Sequence, residues 1–459
     1  MLFRSSEAVQ TQVDPAQLLD RINTNDLYAA ARDAANSQSA TYHYNTHRAE
    51  IGLRYNTNLI NLNVGLRYMP ENTRLDYTRG SVGHIDTTRT VQTFAPNLRL
   101  RVKFSKTQRL DFFYRGETNQ PSMTNLLNVV DNSNPLRITV GNPGLKPSWN
   151  DNFRLFYNGY NTESQRGIMG NLSFTNERNA VTQMLIYDDA SGRQFTRPEN
   201  INGNWSANGG FTFNTPLNAS KMFTMSTSTN VNLSRSVGYI ATTSQPITLA
   251  DAPNLSQVNQ LFAGAVAQKS TNRISGFSEK LDFSYRRDLW DVTLDGRVSY
   301  QHSRSSLNPS QNLDTWSYDY GVSANITLPW SISFSTDLRM TSRRGFATSE
   351  LNTNELVWNA SLSKSFLKDN ALTMRLEGFD LLNQQNNISR SLTALMRTDT
   401  RSNILNTYVM LHAIFKLNVF GGAKLPTPPE GGGPGGPGEH RGPGNFRPST
   451  PPPGGGHMF

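Results

Sequence analysis

The stretch Asn97-Leu98-Arg99-Leu100-Arg101-Val102-Lys103-Phe104-Ser105 decides how this chain folds. Leu98, Leu100, Val102 and Phe104 alternate with Arg99, Arg101, Lys103 and Ser105. Successive side chains of a β-strand point to opposite faces, so this strand has one oily face and one strongly charged face. A soluble sandwich alternates too, but it seldom sets three cations in a row on the polar side of one strand. A bilayer-spanning barrel with an aqueous lumen needs that arrangement, because its outer wall meets hydrocarbon and its inner wall meets water.

The pattern spreads in both directions. Upstream, Ile60, Leu62, Val64, Leu66 and Tyr68 alternate with Asn61, Asn63, Gly65 and Arg67. Downstream, Leu110, Phe112 and Tyr114 oppose Asp111 and Arg115, and Phe153, Leu155 and Tyr157 resume the rhythm after a Pro/Asn-rich interruption. Further runs fall at 168–175, 181–187, 205–213, 223–233, 281–285, 292–300, 322–328, 332–340, 357–366 and 372–376. In the last run, Leu405, Val409, Leu411, Ala413, Phe415, Leu417 and Val419 share one face, with Asn406, His412, Lys416 and Asn418 on the other. The count is roughly 14–17 strands of about 9–15 residues, a length that suits spanning strands. Links alternate between short, as at Pro329, and long, as at 116–148, 241–272, 301–314 and 379–402. That is the rhythm of short periplasmic turns and long outer loops. The predicted fold is all-β, a transmembrane antiparallel meander β-barrel.

Composition agrees. Hydrophobic residues make up 36% and mean hydropathy is −0.53. No stretch reaches the roughly 18 apolar residues of a membrane helix, and a spanning strand needs none, since only every second residue faces lipid. The absence of cysteine excludes disulfide and thiolate chemistry. Net charge is +9, but the basic residues are scattered along strand faces and form no basic helix or block. This speaks against a nucleic-acid partner and for a cationic lumen wall.

Three regions follow. Residues 1–40 read as a polar loop, with Asp14-Pro15 capping a short helix over Ala16–Leu19. Residues 41–420 carry the strands. Residues 421–459 form a tail whose final part, 425–459, holds 10 Pro and 11 Gly. Such a segment has too little apolar surface to offset its ordering entropy, and disorder is predicted. The start, Met1–Glu7, lacks the apolar core of a secretory signal. The expectation is therefore a later portion of a longer chain.

Chemical motifs are sparse. His43 and His47 lie in strand-like sequence with no following glutamate. Asp131-Asn132-Ser133-Asn134 lacks the glycine and distal glutamate of a calcium loop and reads as a turn, as does Asp188-Asp189 before Ser191-Gly192. No nucleophile elbow, phosphate loop or dinucleotide fingerprint occurs. No enzyme activity, metal or cofactor is predicted. Tyr68, Tyr114, Tyr157, Trp205, Tyr285, Tyr300, Trp330 and Trp358 suit interfacial girdles. Arg99, Arg101, Arg154, Arg286, Arg297, Arg339 and Arg375 fall on polar faces and are expected to pair with lumenal Asp111, Asp282, Asp295, Asp337 and Glu377. Among them Arg99, Arg101, Arg286 and Arg297 are the candidates for contact with an anionic ligand.

Several short motifs coincide. Phe94-Ala95-Pro96-Asn97-Leu98 leads to Ser105-Lys106-Thr107-Gln108, then Tyr114-Arg115-Gly116-Glu117-Thr118 and Pro121-Ser122-Met123. Asp131–Pro135, Gly141-Asn142-Pro143-Gly144-Leu145-Lys146-Pro147 and Gly378-Phe379-Asp380-Leu381-Leu382-Asn383-Gln384 complete the set. Together, over about residues 40–420, they resemble the barrel of TonB-dependent receptors of the Bacteroidetes outer membrane protein beta-barrel family. The resemblance implies a 22-stranded barrel in outer-membrane lipid and a plug domain filling the lumen. It also implies a TonB energy-coupling complex as partner and uptake of a nutrient ligand. The chain shows neither a plug nor an energy-coupling box, so both are expected upstream in a longer parent. A surface-exposed binding or adhesion barrel, or a passive pore, is the alternative. The expected location is the bacterial outer membrane, with the tail in the periplasm. Within the motifs, Pro143 and Gly144 are read as a tight turn with glycine at positive φ. Asp380, Asn383 and Gln384 are read as caps on backbone groups at a strand end.

Overall fold

The computed structural model describes residues 2–10 and, apart from short breaks in the loops, 37–416. The helix expected near Asp14 and the Pro/Gly tail lie outside the described residues. The strands are β1 (Leu2–Gln10), β2 (Gln38–Thr46), β3 (Ala49–Asn56), β4 (Ile60–Arg79), β5 (Gly83–Lys103) and β6 (Gln108–Asn119). Then come β7 (Val130–Asn134), β8 (Arg137–Val140), β9 (Ser148–Asn161), β10 (Arg166–Arg178), β11 (Ala180–Tyr187), β12 (Gln194–Ile201) and β13 (Asn204–Pro216). The series continues through β14 (Phe223–Thr242), β15 (Val266–Arg287), β16 (Trp290–Ser305), β17 (Leu313–Leu328), β18 (Ile332–Arg344), β19 (Asn354–Phe366) and β20 (Leu372–Phe379). A separate hairpin, β21 (Ile388–Leu392) with β22 (Arg397–Arg401), precedes β23 (Tyr408–Phe415).

All but β21 and β22 belong to one 21-stranded sheet. Its wall is an antiparallel meander in which each strand pairs with the next wall strand along the chain. β2 and β3 are one course broken opposite Pro70, since both line the same edge of β4. Pro70 has no N–H for the ladder, while its carbonyl still accepts from His47 N at 3.2 Å. Counted so, and without β7, β8, β11 and β12, sixteen courses remain among the described residues, inside the expected range. Among the same residues no ladder joins β23 to β1 or β3. The first forty residues are more ordered than expected at both ends: β1 pairs with β2 from Leu2↔Thr46 to Gln10↔Gln38. Their apolar signal is thin, and backbone pairing to the open side of β2 substitutes for it.

Turns at one end are short, such as 57–59, 104–107, 288–289 and 329–331. At the other end lie 120–147, 179–203, 243–265 and 380–407. The run at 181–187, which the alternation rule marks as a strand of the wall, lies within the loop at 179–203. That loop is instead a hairpin, β11–β12, that has swivelled between Asn179 (φ 52) and Gly203 (φ 123). The swivel sets β11 parallel to β14 and β12 parallel to β8. Ile138, Val140, Met184, Ile186, Phe195, Ala241, Val258 and Phe262 bury themselves in the resulting cap. The last two come from helix α2 (Leu255–Gly264), started by a capping box between Asn254 and Gln257. The preceding short helix, α1 (Met123–Leu126), supplies Met123 to a second core with Ala40, Leu75 and Tyr77.

Strand β4 shows what the wall separates. Near the short turns its outward residues are Leu62, Val64, Leu66 and Tyr68, and its inward ones Asn61, Asn63 and Arg67. Beyond Pro70 the pleat parity continues but the chemistry inverts. Asn72, Arg74, Asp76 and Thr78 now face out, while Leu75 (0% exposed) and Tyr77 (4%) are buried inward under the loops. Outside the bilayer the outer surface meets water, and the interior holds a packed vestibule.

Candidate functional site

The outward band is edged by aromatic rings at the height where β4 inverts. Tyr68 packs on Phe94 at 5.0 Å, and Tyr114, Phe153, Phe174 and Trp205 form a chain of rings 4.7, 6.2 and 6.4 Å apart across four strands. Tyr300 and Trp316 continue it at 4.6 Å. Phe223 with Tyr285 (4.7 Å) and Trp330 (80% exposed) mark the short-turn edge. Between the two edges the outward residues are mostly Leu, Val, Ile and Phe, over about one strand's spanning length, with Tyr318 and Tyr320 among them and Glu279 held by Thr227 and Thr229 as the charged exception on β15.

The inward wall is a lattice of ion pairs. Arg101 Nε donates to Asp111 Oδ1 at 2.5 Å, and Arg109 lies 3.4 Å from the other oxygen of this nearly buried carboxylate. Arg339 grips Asp295 through two contacts of 3.1 Å, Lys280 meets Asp282 at 2.5 Å, and His412 meets Glu377 at 3.3 Å. Two of the five lumenal carboxylates, Asp111 and Asp295, thus meet arginines expected to pair with them, whereas Asp282 and Glu377 are met by Lys280 and His412 instead. The four ligand-contact candidates are not gathered into one site. Arg99 lies over the Phe113 ring at 5.0 Å, beside the paired Arg101. Arg297 faces the lumen on β16, opposite Asp319. Arg286 sits at a short turn, 3.0 Å from Asp291.

Sequence reasoning passed over the groups that do converge. A cavity of about 150 Å³ opens inside the long-loop mouth between β2, β4, β5 and the start of α1. Tyr44, Glu71, Thr73, Arg89, Gln120 and Ser122 supply its polar lining. Arg89 Nη2 donates to Leu145 O at 3.2 Å, while Arg89 Nη1 and both amide atoms of Gln120 are buried without a partner. Buried polar atoms without hydrogen bonds are costly, so this cavity suits a ligand bearing oxygens. Thr73 holds the Glu71 carboxylate at 3.2 Å. The contributors lie on four separate elements, and no spacing along the chain announces them. Only Pro121-Ser122-Met123, in the family-like motif, touches the spot.

The two motifs position this mouth. Asn142 N donates to Asn125 O at 2.6 Å and Asn142 Nδ2 to Pro198 O at 3.0 Å, while Asn200 exchanges two bonds with Lys146. These tie the 120–147 loop to the β12 end. The turn at Pro143-Gly144 forms, but Gly144 is not at positive φ. The glycine that space requires is Gly141, where a Cβ would meet Leu127 O at 1.9 Å. Asp380 (1% exposed, φ 41) accepts from Gln384 N and Gln385 N at 3.1 and 2.9 Å, the capping role expected of it. His43 and His47 join no cluster of three metal-ligating side chains among the described residues. The Asp188 turn is present, closed by Gly192 N to Asp188 O at 2.8 Å.

The model of one family, described as "Outer membrane protein beta-barrel family", matches residues 17–285 and 269–415. The chain belongs to the outer membrane protein beta-barrel family. This membership and the banded wall agree on a transmembrane barrel of the bacterial outer membrane, set in lipid. Among solved structures, the beta domain of the Bordetella autotransporter Brka is 10% identical, over 78% of this chain and 94% of that one, with a TM-score of 0.19. The outer membrane transporter YddB from Escherichia coli is 9% identical, over 90% and 71%, with a TM-score of 0.25. No curated protein matches the sequence.

Proposed function

We propose that this family member is the barrel of a TonB-dependent receptor that captures a scarce, oxygen-rich nutrient at the long-loop mouth for energy-coupled uptake. The observation that carries the reading is the vestibule cavity, where Arg89 and Gln120 present unpaired donors and an acceptor above a polar lumen. In this reading the long loops face the outside of the cell and the short turns the periplasm. β23 runs toward the short turns, so the tail beyond it would enter the periplasm. A plug and the energy-coupling partner would come from the parent protein. No catalytic step is part of the proposal.

The test is uptake by cells expressing the parent protein, with candidate nutrients supplied as a pool of labelled sugars, peptides and chelates. Uptake should stop when the proton-motive force is collapsed, and Arg89→Gln should raise the half-saturating concentration about tenfold, as loss of a charge-assisted hydrogen bond does. Flux that survives the collapse would indicate a passive pore. Binding with no uptake would indicate a surface-binding barrel.

A further inference from the structure

Three arginines stand side by side on the outside of the wall, just beyond the aromatic edge. Arg235 on β14 is directly opposite Arg273 on β15, and Arg273 is directly opposite Arg304 on β16. All three point outward: each keeps the pleat parity of an outward apolar residue below it, Leu233, Phe277 and Tyr300 respectively. Each lies within two outward-facing steps of that residue, at the depth of lipid headgroups. Like charges directly opposite one another destabilise a sheet. Among the described residues the carboxylate in reach, Asp314, is taken by Arg304 at 2.9 Å and by His302 at 2.5 Å. Arg235 Nε is buried without a partner, and Arg273 is exposed with no anion beside it among the described residues. Arg344, beside Trp316 on the same face, is held only by neutral oxygens of Arg343, Thr353 and Asn354.

Lower on the same face, with Val298 six residues or about 20 Å along β16 from Arg304, runs a crevice of about 550 Å³ walled by Leu281, Val298, Tyr318 and Tyr320, with Ser342 and Arg344 at its rim and the inward-facing Arg297 and Asp319 also along it. It exists because Gly296 leaves a gap in the row of outward side chains: a Cβ there would meet nothing within 4 Å. Glu279 also borders it, but its carboxylate is turned toward β14, where Thr227 and Thr229 donate to it. It lies six residues, or about 20 Å, along β15 from Arg273. The surface therefore joins a cationic row at headgroup depth to an apolar slot at hydrocarbon depth.

We propose that this face binds a phosphorylated lipid of the leaflet at the long-loop end, its phosphate on the Arg235–Arg273–Arg304 row and an acyl chain in the Gly296 crevice. Guanidinium groups bind phosphate through paired charge-assisted hydrogen bonds. A lipid anion would also relieve the repulsion along the row. The site is independent of any transport through the lumen.

The experiment uses the full chain in phosphatidylcholine vesicles, with thermal unfolding as readout. Added bacterial lipid A should raise the melting temperature in a dose-dependent way, whereas dephosphorylated lipid A and inorganic phosphate should not. Arg273→Gln, an exposed change, should weaken the lipid A response roughly tenfold. Gly296→Leu, which fills the crevice, should weaken it as well while leaving the melting temperature in phosphatidylcholine alone unchanged. An equal shift with inorganic phosphate would overturn the lipid assignment. So would an unaltered lipid A response in the Arg273→Gln variant or in the triple variant Arg235→Gln, Arg273→Gln, Arg304→Gln.

Discussion

Leu172 and Ser173 are neighbours on β10 that face different solvents. Leu172 is 58% exposed on the outward band, and Ser173 points into the lumen. Leu172→Arg should cost roughly 2–4 kcal/mol of assembly stability near the bilayer centre, and Ser173→Arg almost nothing, measured by denaturant titration in lipid vesicles. Equal costs would mean that the wall does not separate hydrocarbon from water. Asp314 offers a second handle beyond the hydrocarbon band, on the long-loop side of the aromatic edge. Hydrogen bonds from His302, Tyr300 and Arg304 hold its carboxyl far below the usual carboxylate range. A carboxyl depressed on folding stabilises the fold above its unfolded value, near 3.9, and that contribution is lost as pH falls further. The melting temperature should therefore drop between about pH 4 and pH 2, and Asp314→Asn should flatten that part of the profile.

At the scale of elements, the strands were legible because alternation is a local property. The run at Leu98–Phe104 needs no partner to be read, and up to Lys103 it lies on β5 with Arg99 and Arg101 facing inward as predicted. The β11–β12 excursion was not legible. Val181–Tyr187 is rich in strand-forming residues and carries no local break, and what diverts it is a swivel at Asn179 and Gly203 plus the apolar cover of α2. The vestibule cavity was hidden for a similar reason: Glu71, Arg89 and Gln120 meet only after β4, β5 and the 120–147 loop are in place. In the GNPGLKP motif the local turn could be seen, but the steric need at Gly141 could not, since it arises from Leu127 across the loop. Gly141→Ala should unseat the loop without disturbing the wall. Limited proteolysis should then cut within 120–147 much faster, while far-ultraviolet circular dichroism stays the same.

For the whole molecule, the cap and the wall are separable layers. The cap core is made mostly of β8, β11, β12 and α2, whereas the wall is held by strand ladders and lumenal ion pairs. Replacing 181–200 by a short Gly/Ser link between Ala180 and Ile201 should leave assembly intact. It should also uncover the mouth, seen as greater access of a water-soluble thiol probe to a cysteine placed at Thr139. Loss of assembly would show that the hairpin supports the wall as well as covering it.

The inversion of β4 at Pro70 has a consequence for how such proteins can change. Because orientation repeats every second residue, inserting two residues there would lift the vestibule by about 6.6 Å and leave every side chain on its original side. Inserting one would turn Leu75 and Tyr77 out to water. Lineages that retune the stature of this rim should therefore differ in length by even steps.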